Sequence, residues 1–325
     1  MPQIEGDPVA FLQSMNATVC SPLPAKGPKQ RGPSCGFYAL GHVMQYWHQK
    51  LAGSPQATPQ PLPSRTHSEP REASYTVPER DERDVAANAG TFTSLRQVGK
   101  FLHVTAFGSV FNAEGIVRVA RLRGVTGHAD VYDGHVITAT SQDDYLAHVL
   151  GLIKHECPVI VPFDAESGSG DPVSASGEKA HWGVIFGWYA KDDAKYFVHY
   201  HWGEYRYSPA SAFAASTHGL TANALRDMMK IEVRNDKGAI FSRGHRLVTQ
   251  PLPLPPGFSS RPVTGPRPNV EFTNPGHLEP TATLLSDPGL LGQHGFDPSN
   301  LTNAGLRDKL VAIYPQHLKP VLGSL

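Results

Sequence analysis

The chain has 325 residues, of which 40% are hydrophobic, and its 29 basic and 29 acidic residues cancel to a formal net charge of zero. This length predicts one or two domains with a substantial core. The balanced charge argues against nucleic acid or a membrane surface as a partner. Because no run approaches about 18 apolar residues, we expect no transmembrane helix. The early acidic residues Glu5 and Asp7 argue against a signal peptide.

Cysteine and proline content predict the compartment and the domain organisation. The three cysteines, Cys20, Cys35 and Cys157, are too few for a disulfide framework, so we expect a reducing compartment and a cytoplasmic location. We interpret residues 1–27 as an irregular leader with a short helix near Ala10–Met15. Residues 28–249 are predicted to form the folded domain, and within it residues 52–88 have almost no apolar pattern and are expected to be a disordered insertion.

The C-terminal part is predicted to be separate from this domain. Residues 250–280 form a Pro-rich linker in this interpretation, and residues 281–325 a tail with one helix over Asn303–Ile313. A chain that ends at Pro251 is therefore expected to keep a folded core.

The first strong helix begins at a cysteine. Apolar residues at three- and four-residue spacing predict a helix from Cys35 to about Leu51, with Ser34 as its N-cap. Free backbone N–H groups and the helix dipole at this position are expected to lower the pKa of the Cys35 thiol. The side-chain amide of Gln30 and the backbone N–H of Cys35 would together bind a developing oxyanion. A lone cysteine is more often a small buried hydrophobe, so a nucleophile requires a base elsewhere.

Further helices are followed by short apolar runs typical of strands. Helical spacing and capping signals predict helices that begin near Thr93, near Ile116 and after Ser141. Buried or alternating runs predict strands over Cys157–Phe163, His181–Ala190 and Tyr196–Trp202, the last two joined as a hairpin across Lys191–Asp193. Helices first and an antiparallel sheet afterwards indicate an α+β fold.

His181 is the best candidate for the base. It opens a strand directly after the Gly/Ser-rich loop 164–179 and lies far downstream of Cys35, an order found in cysteine proteases. Trp182 beside it would shield the site from water. His201, at the far end of the next strand, and Asp164, at the end of the preceding one, are alternatives for a third group that orients the base.

Other kinds of site are disfavoured. His199 and His201 at i, i+2 could face one side of a strand, but no cysteine or carboxylate pattern completes a zinc site, so no metal or other cofactor is expected. The segment Gly168–Gly170 is not a phosphate loop, because no lysine or helix start follows it.

Two blocks of the chain resemble the actin maturation protease family. They are Gln-Arg-Gly-Pro-Ser-Cys-Gly-Phe-Tyr-Ala-Leu at 30–40, and Pro158–Asp164 followed by Gly-Glu-Lys-Ala-His-Trp-Gly-Val-Ile-Phe-Gly at 177–187. The family is similar, more distantly, to bacteriocin-leader-processing and papain-like cysteine proteases. The resemblance covers residues 28–220 and implies a papain-like fold, with the nucleophile helix packed on an antiparallel sheet.

The resemblance also implies a function. Cys35 would be the nucleophile and His181 the base of an aminopeptidase-like thiol protease that removes an acetylated residue from the N-terminus of actin. The insertion and the C-terminal residues depart from the family, as in a distant relative, for example a bacterial effector delivered into a host cell. Arg31, Trp182 and Asp164 are candidates for substrate contacts, with Arg31 offsetting the acidic residues of loop 164–179.

Two alternatives stay open. The same groups could catalyse deamidation or transglutamination, since these reactions also pass through a thioester. The chain could also be a non-catalytic scaffold whose Pro251–Pro256 run binds SH3, WW or profilin-type partners.

Overall fold

A computed structural model describes residues 4, 6–27, 30, 34–58, 60–65, 93–101, 110, 113–123, 131–177, 179–220 and 306–324. The described helices are α1 (Pro8–Ser14), α2 (Cys35–Lys50), α3 (Leu95–Phe101), α4 (Ala113–Arg123), α5 (Gln142–Lys154), α6 (Ala210–His218) and α7 (Lys319–Leu322). The described strands are β1 (Thr18–Val19), β2 (Tyr132–Thr138), β3 (Val159–Ala165), β4 (Pro172–Val173), β5 (Ala180–Lys191), β6 (Ala194–His201), β7 (Glu204–Pro209) and β8 (Lys309–Pro315). This combination of helices and antiparallel strands confirms the predicted α+β class.

One sheet organises the fold, and its described pairings are all antiparallel. Its main path runs β2-β8-β3-β5-β6-β7, while β1 pairs with β5 and β4 pairs with β3. A two-residue turn at Asp192–Asp193 joins β5 to β6, and another at Trp202–Gly203 joins β6 to β7. All four turn residues have positive φ. Such turns match the right-handed twist of paired strands. The first of them is the hairpin predicted across Lys191–Asp193.

Helix α2 packs across the sheet and connects distant parts of the chain. It begins at Cys35 as predicted, and the residues of its apolar face are buried. The indole Nε1 of Trp47 donates to the carbonyl of Ile313 in β8 at 2.8 Å, and the Tyr46 ring contacts Phe186 of β5. Ser34 holds the N-cap position, but the predicted side-chain cap is wrong, since its hydroxyl makes no capping hydrogen bond.

The N-terminal segment contributes to the folded body. Helix α1 confirms the short helix predicted near Ala10–Met15. Strand β1 pairs with β5 through Thr18 and Trp188, and the N–H of Cys20 donates to the carbonyl of Phe186 at 2.7 Å. The described part of residues 1–27 therefore extends the sheet, which corrects their interpretation as an irregular leader.

The C-terminal segment corrects the predicted tail. The helix predicted over Asn303–Ile313 is wrong, because Lys309–Pro315 form β8. Strand β8 pairs with β2 along its whole length and with β3 at Val159 and Ile160, so it lies inside the sheet. Leu310 and Ile313 are fully buried, but so are Val311 and Ala312 between them. A strand buried on both faces is a continuous apolar run, which periodicity alone does not distinguish from a helix.

Part of the predicted insertion is packed on the body. Thr58 is buried, and its carbonyl contacts the ring Nδ1 of His48 at 2.7 Å. The N–H of Leu95 donates to the carbonyl of Pro63 at 2.9 Å, so residues 60–65 contact the start of α3. Residues 66–88 and the Pro-rich segment 250–280 lie outside the described residues. Within the described ranges, every helix is too short or too polar to cross a membrane.

Candidate active site

Cys35 is the first residue of α2, and its side chain is half-buried. Its sulfur lies against three backbone N–H groups, those of Trp182, Gly36 and Cys35 itself. Burial raises the pKa of the Cys35 thiol to about 11, and the three N–H groups oppose this only in part. The lowered thiol pKa expected for a helix N-terminus is therefore not found, because desolvation outweighs the favourable dipoles.

Trp182 holds β5 against the start of α2. Its indole is buried, and Nε1 donates to the carbonyl of Val110 at 3.1 Å. A Cβ at position 36 would lie 3.0 Å from a Val110 methyl carbon and 3.4 Å from the Trp182 ring, so Gly36 permits this close approach. The backbone N–H of Trp182 thus lies at the Cys35 sulfur, while the shielding and substrate contact expected of its side chain stay predictions.

His181 precedes Trp182 on β5. Its side chain therefore lies on the opposite face of the sheet from the Trp182 side chain. Its ring packs against Phe163 at 5.7 Å, His201 at 5.2 Å and Trp202 at 5.2 Å between ring centroids. Its Nε2 is buried without a hydrogen-bond partner in the described part of the chain. Burial lowers the pKa of His181 to about 3, so the imidazole is neutral near pH 7.

His201 lies where the hairpin prediction placed it, at the far end of β6 and beside His181. Its ring stacks on that of His199 at 5.2 Å with an interplanar angle of 14°. Burial, and then the charges of His181 and His199, hold the pKa of His201 well below its usual range. Neither ring nitrogen of His201 makes a well-formed hydrogen bond to the described residues, although the Gly170 backbone lies against the ring.

Asp164 has a structural role that the sequence did not indicate. Its side chain is fully buried, and its carboxylate accepts the backbone N–H groups of Ala175 at 3.0 Å, Gly177 at 2.8 Å and Lys179 at 2.9 Å. These bonds fold the loop before β5 back onto the end of β3. The carboxylate is therefore occupied by the backbone of this loop rather than by His181.

The remaining predicted site residues are only partly described. Gln30 is half-buried, but Arg31 and the two residues after it lie outside the described residues. Gln30 and Arg31 therefore stay predictions for the oxyanion site and for a substrate contact. The described residues contain no group of three or more His, Cys, Asp or Glu side chains arranged to hold a metal ion.

Trp202 belongs to this site and was missed in the sequence. It is in the two-residue turn between β6 and β7 with φ of 51°, and its ring lies 5.2 Å from His181 and 4.9 Å from His201. Gly203, directly after the strand predicted over Tyr196–Trp202, was an available signal for a tight turn. Its contact with His181 depends on the pairing of β5 with β6, which the local sequence does not specify.

Comparison with known families supports the resemblance seen in the sequence. Residues 83–189 match the family model described as the actin maturation protease-like C-terminal domain. This match supports the predicted resemblance over that segment, and the matched family is described as protease-like and related to actin maturation. The matched residues include His181 and Trp182 but neither Cys35 nor His201. Among curated proteins, no significant match to the chain is found.

Proposed function

We propose that this protein is a cysteine peptidase of papain-like fold that cleaves a protein near its N-terminus, with Cys35 as nucleophile and His181 as base. The position of Cys35 carries the proposal: it begins α2, and its sulfur lies at the β5 backbone one residue beyond His181. The family match over residues 83–189 supports peptidase chemistry. The three cysteines are free thiols, as expected for a cytoplasmic enzyme.

The pKa directions argue against a preformed ion pair of a Cys35 thiolate and a His181 imidazolium. Burial raises the pKa of the Cys35 thiol and lowers that of His181, so both groups are neutral before substrate binds. His181 then accepts the thiol proton as the sulfur attacks the substrate carbonyl carbon. This step requires the His181 ring to turn from its packing against Phe163 and His201 toward the sulfur, and catalytic hydrogen bonds often form fully only with substrate bound.

The remaining steps are those of a thioester mechanism with these residues. The carbonyl oxygen becomes an oxyanion, which the Cys35 N–H and the Gln30 amide stabilise. The imidazolium of His181 gives its proton to the leaving amine as the C–N bond breaks, leaving a thioester on Cys35. Water attacks the thioester with His181 as base, which releases the acid product and restores the thiol.

We further propose the acetylated, acidic N-terminus of actin as the substrate. The loop before His181 is acidic in sequence, but two of the carboxylates near the site already have partners within the protein. Asp164 accepts three backbone N–H groups, and Glu204 pairs with Arg206 at 2.8 Å. The charge of Arg206 offsets that of Glu204, and two basic residues, Lys29 and Arg31, flank Gln30 in the sequence, so repulsion of an acidic peptide is weaker than the loop alone suggests.

The test is incubation of the full chain with an acetylated actin N-terminal peptide and with a matched peptide whose acidic residues are neutral. Mass spectrometry distinguishes loss of the N-terminal residue from conversion of Gln to Glu or from a crosslink. We expect the wild type and a Cys157→Ser control to cleave the acidic peptide and Cys35→Ser not to. Cleavage that persists in Cys35→Ser refutes the nucleophile. Cleavage of the neutral peptide alone assigns a different substrate, and conversion of Gln to Glu alone assigns a deamidase.

A further inference from the structure

Three buried histidines, His181, His199 and His201, form a histidine cluster on the face of the sheet opposite Trp182. His199 and His201 are two residues apart on β6 and therefore point to the same side. The His201 ring stacks on His199 and meets His181 edge-on, with ring centroids 5.2 Å apart in both cases. His201 is thus packed between the candidate base and His199.

One hydrogen bond anchors this cluster to the neighbouring strand. The Nε2 of His199 lies 3.0 Å from Oγ of Ser208 in β7. The same hydroxyl lies 3.5 Å from a carboxylate oxygen of Asp171, in the loop that precedes β4. Ser208 therefore links the histidine cluster to that loop, and rotation of the His199 ring would break the link.

Close packing transmits this anchor to the other two rings. Phe163 contacts His181, His199 and His201, at centroid distances of 5.7, 6.3 and 5.7 Å. A Cβ at position 170 would lie 2.3 Å from Cε1 of His201, so Gly170, with φ of 71°, closes over that ring. Interiors packed this tightly give a ring little freedom to turn independently of its neighbours.

The composition of the cluster is costly for a purely structural role. Nδ1 of His199, both nitrogens of His201 and Nε2 of His181 are buried without hydrogen-bond partners among the described residues. Apolar rings would fill the same space without the cost of desolvating these nitrogens. Buried polar groups that remain unsatisfied call for a functional explanation.

We propose that His199 and Ser208 are positioning residues, which hold His201 in place and thereby set the orientation of the His181 ring. This rests on the proposed role of His181 as the base. Neither residue touches the substrate in this account. Their contribution is to limit the orientations open to the His181 ring at the start of β5.

The experiment compares Ser208→Ala with Ser208→Thr and with Ser216→Ala in the full chain. Ser216 is a matched control, because it is also a buried serine and its hydroxyl donates to the carbonyl of Val173 at 2.6 Å. We expect Ser208→Ala to lower kcat for the actin peptide at least about tenfold with KM unchanged, since small misplacements of a catalytic group have effects of this size. Ser208→Thr should restore kcat, and Ser216→Ala should reduce stability alone.

A second measurement does not depend on activity. In Ser208→Ala, the ring ¹⁵N and ¹H resonances of His181 should shift, whereas in Ser216→Ala they should stay in place. If the His181 resonances do not move in Ser208→Ala, or if its kcat equals that of Ser216→Ala, the positioning role is overturned. A change in KM alone would make Ser208 a substrate contact. If the wild type shows no cleavage that depends on Cys35, the proposed function fails, and the resonances still decide whether Ser208 orients His181. If Ser208→Ala does not fold, Ser208→Cys replaces it, because the thiol keeps the volume and is a weaker hydrogen-bonding group.

Discussion

Removal of residues 306–325 should unfold the whole protein, because β8 is an inner strand of the sheet. Four large side chains of this strand, Leu310, Val311, Ile313 and Tyr314, are 0 or 1% exposed. Burial of each contributes about 2 kcal/mol, so the deletion removes roughly 8 kcal/mol before hydrogen bonds are counted. Typical domains have a free energy of unfolding of about 5–15 kcal/mol. The deletion also leaves an edge of β2 and an edge of β3 without a partner strand.

The assay is urea unfolding followed by circular dichroism and tryptophan fluorescence. A matched control is deletion of residues 250–280, which shortens the connection but keeps β8, and changes in connection length have small entropic effects. We expect the control to unfold cooperatively and the deletion of residues 306–325 to show no cooperative transition or to aggregate. An intermediate variant, Ile313→Ala, should lose about 2–5 kcal/mol. A folded protein with an unchanged urea midpoint after loss of residues 306–325 would refute the placement of β8.

Three further predictions concern the site. Gln30→Ala should lower kcat by about 10²-fold with little change in KM, because loss of one oxyanion donor costs roughly 3 kcal/mol. A change in KM alone would make Gln30 a substrate contact instead. With the other two cysteines replaced, the rate of Cys35 alkylation by iodoacetamide should rise steadily from pH 7 toward the thiol pKa of about 11. A rate that has already reached its plateau at pH 7 would indicate a preformed thiolate. Acid should destabilise the fold, since His181 and His199, with pKa values of about 3, and His42, with a pKa of about 4, are buried in the neutral form. Their folded-state pKa values lie below the unfolded value of about 6.5, so their contribution to the free energy of unfolding is complete above pH 6.5 and falls at lower pH. At pH 5 the loss is about 2 kcal/mol per histidine. Equal urea midpoints at pH 7.5 and pH 5 would contradict it.

Local signals in the sequence were sufficient for the start of α2 and for the central hairpin. The start of α2 at Cys35 follows from Gly-Pro punctuation and three- and four-residue apolar spacing, which act within a few residues. The hairpin of β5 and β6 follows from two alternating runs around Asp192–Asp193, and it places His201 beside His181. The resemblance to a known family was also readable, because its motifs lie in short contiguous blocks.

Properties that depend on long-range packing required the tertiary structure. Leu310 and Ile313 have helical spacing, and only the pairing of β8 with β2 and β3 decides that this segment is a strand. Tertiary packing also decided the direction in which the pKa of the Cys35 thiol shifts. The helix N-terminus favours the thiolate, but burial beneath β5 removes the sulfur from water and has the larger effect.

The same distinction applies to individual site residues. The sequence determined which side chains are available for catalysis, Cys35 and His181 above all, since chemical identity and chain order are local properties. The structure decided their neighbours: Asp164 is taken by the backbone of its own loop, and Trp202 and Ser208 join the surroundings of the histidines. These contacts arise where β3, β5, β6 and β7 come together. The pairing of strands from distant segments depends on the packing of the whole sheet and not on the residues of any one strand.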